Sequence, residues 1–508
     1  MVKISIICVP PIRPHMVPYG IGVLANIAQK TGEAETEIFD VNCSFWNDLI
    51  SNNYSKKITS LNKMAGLGKN EIDLLSYKQE SILDENHYNL FIENLRANCN
   101  ILEQLYNVKI GLGIIEKNEY CSDIETVSRI SLDSENNIYY DYMSKYIVEN
   151  PQIMDADVIL LSVMCKEQIL PAMTLSNCIK ARKNVRICIG GPYIEKMSRY
   201  SRNAEYGCDN VLIGKAEYLL PYLIECLNSG KVLPKVVCDD RADNIVFEYG
   251  VDFRNLNLED YFYPDVVIPV MTSRGCYYHS CRFCDNYGNY YGYKLNEMRA
   301  LEVFDLMREL NLKYACNKFE FIDDCVNPKK IYELANIIVD NDFKINWTCS
   351  MRFSRIMLDS GYINILKRAG CQMIFMGLES FSKAEIRRMN KGIDLDCVKP
   401  ILESMNENGI KSYISVMLGY PGQTKEDYLR TREFLMENSA IIDLVDVNIY
   451  KDPMIASAEN DKQLMNNYAL VDYKEEVYEW YYELLQWVQN NGKQVSTFKR
   501  SVILFRDA

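Results

Sequence analysis

The chain has 508 residues, 48% hydrophobic and 25% charged, which excludes collagen-like, low-complexity and wholly disordered chains and suggests about two to four domains. Fifty-six lysines and arginines against 69 acids leave a net charge of −13, which disfavours a binder of nucleic-acid phosphates. Eighteen cysteines are scattered along a chain with no secretory signal and no apolar run long enough to span a membrane. They therefore point to a reduced, cytoplasmic protein rather than a disulfide scaffold.

Residues 3–9 form an apolar run, as a strand buried on both faces requires. A Pro-rich loop over 10–18 leads to a helix with apolar spacing at Ile21, Leu24, Ala25 and Ala28, stopped by Gly32, and Glu35–Val41 makes a second strand. The alternation resumes with a strand over 158–163, a helix over 168–182, a strand over 185–189, then Gly190-Gly191-Pro192. A strand over 210–213 ends at Gly214, before a helix that starts at Ala216. Strands alternating with helices predict a Rossmann-like parallel sheet over 1–235, with ligands bound beyond the carboxyl ends of its strands. Residues 43–150 interrupt the pattern. Their length and the helical spacing of Leu83, Leu90, Phe91, Leu95, Leu102 and Leu105 predict a mostly helical insertion. Its polar surface fits simple solvation; a cap facing a substrate is the sharper alternative.

Residues 236–262 are expected to link this domain to the next. There an apolar strand delivers Gly275 and then Cys276, Cys281 and Cys284 within nine residues. Thiolates clustered on a short loop suit an iron–sulfur cluster or zinc. Structural zinc wants four ligands, no second Cys pair follows nearby, and His279 sits too close between the thiols for easy geometry. Three ligands instead leave one iron of a cubane open. Downstream, strands over 318–323, 345–352 and 443–450 and two helix–turn–strand units over 366–380 and 408–424 predict a partial α/β barrel over 263–455, its chemistry at the strand ends. Asp323, Asp324, Arg352, Glu379 and Ser380 lie just past those ends. Each alone could be a cap or salt-bridge partner; their common edge argues for a site. Residues 456–508 are expected to be helical, with an amphipathic stripe at Val477, Trp480, Tyr481, Leu484, Leu485 and Val488.

The Cys276–Cys284 loop, with Phe283 before the third cysteine, resembles the radical S-adenosylmethionine (SAM) superfamily. The usual first spacing is C-x3-C; here it is C-x4-C, which puts the path of the loop in question. The Gly-Cys-Tyr-aromatic start also resembles a branch that modifies ribosomally made peptides. The resemblance implies a partial (β/α)6 barrel and a [4Fe-4S] cluster on Cys276, Cys281 and Cys284, with SAM at the open iron. It further implies SAM contacts from Phe283, Arg352, Glu379, Ser380 and Lys391, and an external one-electron reductant of the flavodoxin or ferredoxin type. The family's Gly-Gly-Glu motif is not recognisable.

Residues 1–235 resemble the cobalamin-binding domain often placed before such a barrel, through Pro18-Tyr19-Gly20, Ser162, Gly190-Gly191-Pro192, Gly214 and Glu217. These are the positions implied to contact cobalamin. Lys215 and Ala216 depart from the usual Gly-Glu-Gly-Glu, and a plain Rossmann-like sheet with glycine turns is the simpler alternative. The D-x-H-x-x-G motif that supplies a lower cobalt ligand is absent, and His15 lacks its flanking Asp and Gly. Together the resemblances imply reductive cleavage of SAM to a 5′-deoxyadenosyl radical and cobalamin-mediated methyl transfer to an unactivated carbon of a peptide or small-molecule natural product. A rearrangement, cyclisation or coupling without methylation is the alternative. A cluster-bearing sensor and a methylthio transferase fit less well.

Overall fold

The computed structural model describes residues 1–50, 99–198 (without 101, 112 and 122), 206–238, 248–262, 266–284, 295–450 and 475–493. The chain divides into two compact units, Met1–Asp265 with Ser457–Lys462, and Val266–Ala456 with Gln463–Ala508.

In the first unit, β1 (Val2–Cys8), β2 (Ala34–Asp40), β5 (Val158–Ser162), β6 (Arg186–Gly190), β7 (Asn210–Ile213) and β8 (Val236–Cys238) form one parallel sheet in the order β2-β1-β5-β6-β7-β8. The two short strands β3 (Lys109–Gly111) and β4 (Ile114–Glu116) form a separate antiparallel hairpin. Strands β1 and β5 are almost wholly buried, as expected where helices cover both faces. Helix α1 (Tyr19–Thr31) buries Ile21, Val23, Ala25, Ile27 and Ala28 and ends on Gly32, whose φ of 69° turns its N–H back onto the Gln29 carbonyl. Strand order reverses between β1 and β5, and a crevice at the carboxyl edge is expected at such a switch point.

Two features differ from the sequence pattern. The sheet runs one strand further, because β8 pairs with β7 where a linker was expected. Helix α2 (Val41–Ile50) leaves β2 directly, so the sheet's own crossover has begun inside the interval assigned to an insertion. The described remainder of that interval includes α3 (Ile124–Ser131) and α4 (Tyr140–Glu149). Phe45, Tyr139 and Tyr142 pack with edge and tilted ring contacts at 5.1 to 5.7 Å, joining this region to the sheet core. The spacing at Leu83, Leu90, Phe91 and Leu95 lies outside the described residues. Helices α5 (Ile169–Lys180), α6 (Pro192–Ser198) and α7 (Ala216–Ser229) complete the alternation.

The second unit is built on a parallel sheet of β9 (Ile268–Val270), β12 (Lys318–Phe321), β13 (Asn346–Met351), β14 (Cys371–Glu379), β15 (Lys411–Leu418) and β16 (Leu444–Ile449), in simple sequential order. A two-residue pair, β10 (Ser273–Arg274) with β11 (Asn296–Glu297), lies beside it. Between the strands run α8 (Ala300–Tyr314), α9 (Pro328–Asp340), α10 (Tyr362–Arg368), α11 (Lys383–Arg388), α12 (Val398–Glu407) and α13 (Lys425–Glu437). Helix starts follow from capping chemistry: Asn327 precedes Pro328 in α9, and Thr424 and Asp427 form a reciprocal box in α13. Sequential parallel strands joined by helices make the six-stranded partial barrel. Helix α14 (Glu475–Asn490) buries Val477, Trp480, Leu484 and Val488, with Trp480 stacked on Tyr428 at 4.8 Å. The stripe is a packing face.

Candidate active site

The cysteine loop follows β9 and turns at Gly275, where φ is 88°. Its path resolves the extra residue of the first spacing. His279 takes a left-handed φ of 37°. A non-glycine residue held at positive φ costs on the order of 1 kcal/mol. The His279 side chain itself is exposed. Among the described residues no group of three or more His, Cys, Asp or Glu converges as a single metal ion requires.

The loop docks on residues 389–392. Arg282 donates its backbone N–H to the Met389 carbonyl at 2.9 Å, the Tyr278 hydroxyl donates to the Asn390 carbonyl at 2.8 Å, and Asn390 Nδ2 donates to the Ser280 carbonyl at 2.8 Å. Gly392 is required there, because a Cβ would lie 2.1 Å from the Tyr278 hydroxyl. From the other side, Asp323 accepts from Thr272 N, Thr272 Oγ1, Ser273 N and Ser273 Oγ at 2.6 to 3.0 Å. The loop is thereby held at both ends.

Against this loop stand three of the residues singled out in the sequence, Arg352, Glu379 and Lys391. Lys391 Nζ donates to Glu379 Oε1 at 2.8 Å in a buried pair and lies 5.2 Å from the Phe283 ring centroid. The Arg352 guanidinium sits 3.5 Å from the centroid of Tyr278 and donates to the Lys391 carbonyl. Its Nε is buried without a hydrogen-bond partner among the described residues. Burial works against the Lys391 charge, but Glu379 outweighs it and raises the ammonium above its ordinary value. A hydrogen bond from Cys325, opposed by burial and helped by the loop's own N–H groups and by Arg352, pulls the Cys276 thiol down to about 6. It is thus ionised at neutral pH, the state in which sulfur binds iron. Burial raises Cys281, with Lys391 and Arg352 opposing.

Ser380 takes a different place. It is fully buried, in contact with Thr431 Oγ1 at 3.1 Å and accepting from Ser382 N at 3.0 Å. It supports the start of α11. The sequence reading missed Cys325, Gly377 and Asn390; a cysteine and a glycine at strand ends offered a weak signal, and the asparagine offered none.

In the first unit, the positions singled out gather at the carboxyl edge of the sheet. Pro18 precedes α1 and Tyr19 and Gly20 begin it, Ser162 and Gly190 end β5 and β6, Gly191 precedes Pro192 at the start of α6, and Gly214 and Glu217 bracket the start of α7. Gly191, at φ 115°, would put a Cβ 2.4 Å from the Val163 carbonyl. A side chain at Gly20 would meet nothing within 4 Å. Two further residues shape the switch point. Gln168 donates to the Val9 carbonyl and accepts from Met164 N at 2.7 Å, tying the ends of β1 and β5 together. Asn42 accepts from Ile12 N at 2.8 Å, while its Nδ2 is buried with no partner among the described residues. His15 is also buried in this loop region.

The second unit is thus a parallel partial barrel that bears a three-cysteine loop, with the buried basic groups Arg352 and Lys391 beside it. Residues 270–435 match the model of the radical SAM superfamily. The chain is 24% identical over 269 residues to an uncharacterized methyltransferase of Pyrococcus horikoshii, covering 50% of this chain and 58% of that protein. It thus spans little more than half the length of that relative. Among solved structures it resembles the radical SAM methyltransferase TsrM of Kitasatospora setae with cobalamin and a [4Fe-4S] cluster bound (TM-score 0.54, 13% identity, 88% of this chain and 74% of that one). It also resembles the cobalamin-dependent SAM radical enzyme OxsB with aqua-cobalamin and SAM bound (TM-score 0.52, 13% identity, 99% and 63%). These are likenesses of fold. Among the described residues no helix is long and apolar enough to cross a membrane.

Proposed function

We propose that this chain is a cobalamin-dependent radical SAM C-methyltransferase acting in the cytoplasm on a peptide or small-molecule natural product. The observation that carries the reading is the union, in one chain, of the docked cysteine loop with a doubly wound sheet whose carboxyl edge is lined by glycine and proline. The relative named a methyltransferase and the two structures titled with cobalamin support it.

Cys276, Cys281 and Cys284 would hold the cluster, and the ionised Cys276 thiol fits that role. Arg352, with its buried unpartnered Nε, and the Lys391–Glu379 pair would receive the carboxylate and amino groups of SAM. Phe283 would border its adenine. Pro18, Tyr19, Gly20, Ser162, Gly190, Gly191, Pro192, Gly214 and Glu217 would line the cobalamin site, and the buried Asn42 amide at the same edge is a donor suited to a polar group of a large ligand. When bound, these groups supply one electron to a sulfonium and a carrier for methyl. The residues of this chain bind, orient and exclude water around them. The electron comes from an external flavodoxin- or ferredoxin-type donor.

The test uses full-length enzyme reconstituted with iron, sulfide and hydroxocobalamin, reduced by dithionite and given methyl-labelled SAM. Label recovered in the cobalamin fraction, with SAM cleavage abolished in Cys281→Ala, is the expected result. Cleavage of SAM to 5′-deoxyadenosine with all of the label staying on methionine would replace this reading by a rearrangement, cyclisation or coupling. Absence of cleavage would remove both.

A further inference from the structure

The outer face of the cysteine loop carries charge that the folding of the loop does not use. Arg282 lies between the second and third cysteines. Its backbone N–H donates to the Met389 carbonyl at 2.9 Å, while its side chain is exposed. Cys281, the residue before it, is buried. On the facing segment, α11 turns Glu385 and Ile386 inward and leaves Lys383 and Arg387 exposed, four residues apart on one helix face. The Asn390 amide, bonded to the Ser280 carbonyl at 2.8 Å, joins the end of this helix to the loop. Arg282 and Arg387 thus stand on either side of the seam where loop and helix meet. The other accessible charges on residues 383–396 are matched. Lys383 pairs with Asp396 at 2.9 Å, Arg388 with Asp427 at 2.7 Å, and Arg355 with Asp394. The Arg282 and Arg387 guanidiniums have no ion-pair partner among the described residues. Two unmatched positive charges therefore border the loop, on a chain whose net charge is −13.

Resting on the reading of Cys276, Cys281 and Cys284 as cluster ligands, we infer that Arg282 and Arg387 form the docking surface for the electron donor, an acidic carrier protein of the flavodoxin type. The sign of the charge selects the partner. An acidic protein is repelled by a chain of net −13 and attracted at these two guanidiniums, and such local complementarity orients the encounter and speeds it. The position suits the task, because a carrier seated on Arg282 is one residue from the ligand Cys281 and the electron has a short path. One electron leaves the reduced flavin of the carrier, which is oxidised by that electron, and the cluster is reduced by it. No covalent bond is made or broken, and no proton passes to this chain.

The experiment uses full-length enzyme reconstituted with iron and sulfide, as wild type, Arg387→Glu, the double variant Arg282→Glu/Arg387→Glu and the charge-keeping double variant Arg282→Lys/Arg387→Lys. Each is mixed with purified flavodoxin in its fully reduced state, and oxidation of the flavin is followed by stopped-flow absorbance. Association is measured separately by fluorescence anisotropy of labelled oxidised flavodoxin. The Glu pair should slow reduction by flavodoxin about tenfold at low ionic strength, and Arg387→Glu alone by roughly threefold, with binding weakened in step. The difference from wild type should shrink at about 0.5 M salt, where such charges are screened. The Lys pair should stay near wild type. Reduction of Arg387→Glu by reduced methyl viologen, a small cation, should not fall. An unchanged flavodoxin rate in the Glu pair overturns the inference, as does a Lys pair that behaves like the Glu pair. Equal losses with both reductants in Arg387→Glu also overturn it, because the charge would then act on the cluster and not on the partner. Wild type that binds no iron would instead defeat the ligand assignment on which the inference rests.

Discussion

Lys391 Nζ donates to Glu379 Oε1 at 2.8 Å, with both side chains only 8% exposed. They are 12 residues apart, one ending β14 and the other following α11, and the barrel brings them beside the cysteine loop. Breaking one partner of a buried pair leaves the other charge uncompensated, at a cost of about 3 to 5 kcal/mol. Lys391→Met and Glu379→Gln should each destabilise the second unit by that order in urea unfolding. The double variant should recover most of the loss, because no lone charge remains buried.

The pair has room because position 377 is glycine. A Cβ there would lie 2.3 Å from Glu379 Oε1 and 2.7 Å from Lys391 Nζ. Both are side-chain ends that can shift, so Gly377→Ala should fold. It should displace the pair and weaken SAM binding by about tenfold, roughly 1.4 kcal/mol, in equilibrium dialysis of the reconstituted enzyme. An unaltered affinity would argue that the pair does not touch SAM.

Asp323 gathers four donors from Thr272 and Ser273. Asp323→Asn keeps the shape but turns an amide toward those donors. Each buried donor left without a partner costs about 1 to 3 kcal/mol, so the cysteine loop should loosen. Iron retained per chain after gel filtration should drop, while α-helical circular dichroism stays near wild type.

Burial pushes Glu385 up to about 7, with the neighbouring Ser380 and Gln423 side chains only partly opposing it. Neither carboxyl oxygen has a hydrogen-bond partner of good geometry among the described residues. Since the folded form holds its proton more tightly than the unfolded form, stability is greatest below about pH 4.5 for this group and is lost as pH rises to about 7. The loss amounts to about 3 kcal/mol on this group's account. Glu385→Gln should therefore be more stable than wild type at pH 8 and show little of this advantage at pH 5, by urea unfolding at each pH.

Gly191 combines a φ of 115° with a Cβ position 2.4 Å from the Val163 carbonyl. Here the obstacle is backbone and cannot swing aside. Gly191→Ala should destabilise the first unit by about 2 kcal/mol or more and lower the uptake of hydroxocobalamin measured by dialysis. Gly20→Ala, in the first turn of α1 with nothing within 4 Å, should leave stability unchanged or raise it by up to about 1 kcal/mol.

Much of this was readable in advance. Buried parallel strands such as Val158–Ser162 announce themselves as unbroken apolar runs, and Asn210–Ile213 is bounded by its own turn residues. The three cysteines are adjacent in sequence because one loop must present them together. Strand β8 was missed because three residues, Val236–Cys238, are too short for a period to register. The start of α2 was missed because the helix follows β2 with no intervening turn residue, although Asp40 caps it by accepting from Cys43 N at 2.9 Å.

The amino-acid order by itself determined what depends on near neighbours: the alternation of strands and helices, the caps at Asn327 and Thr424, and the cysteine loop. Folding decided what depends on residues distant in the chain. It set Asp323 on Thr272, Cys325 on Cys276 and Arg352 on Tyr278, and gave Ser380 to Thr431 rather than to the site. Hydrogen bonds and charge pairing act over a few ångströms of space, and no spacing along the chain encodes which side chains of different strands will come that close.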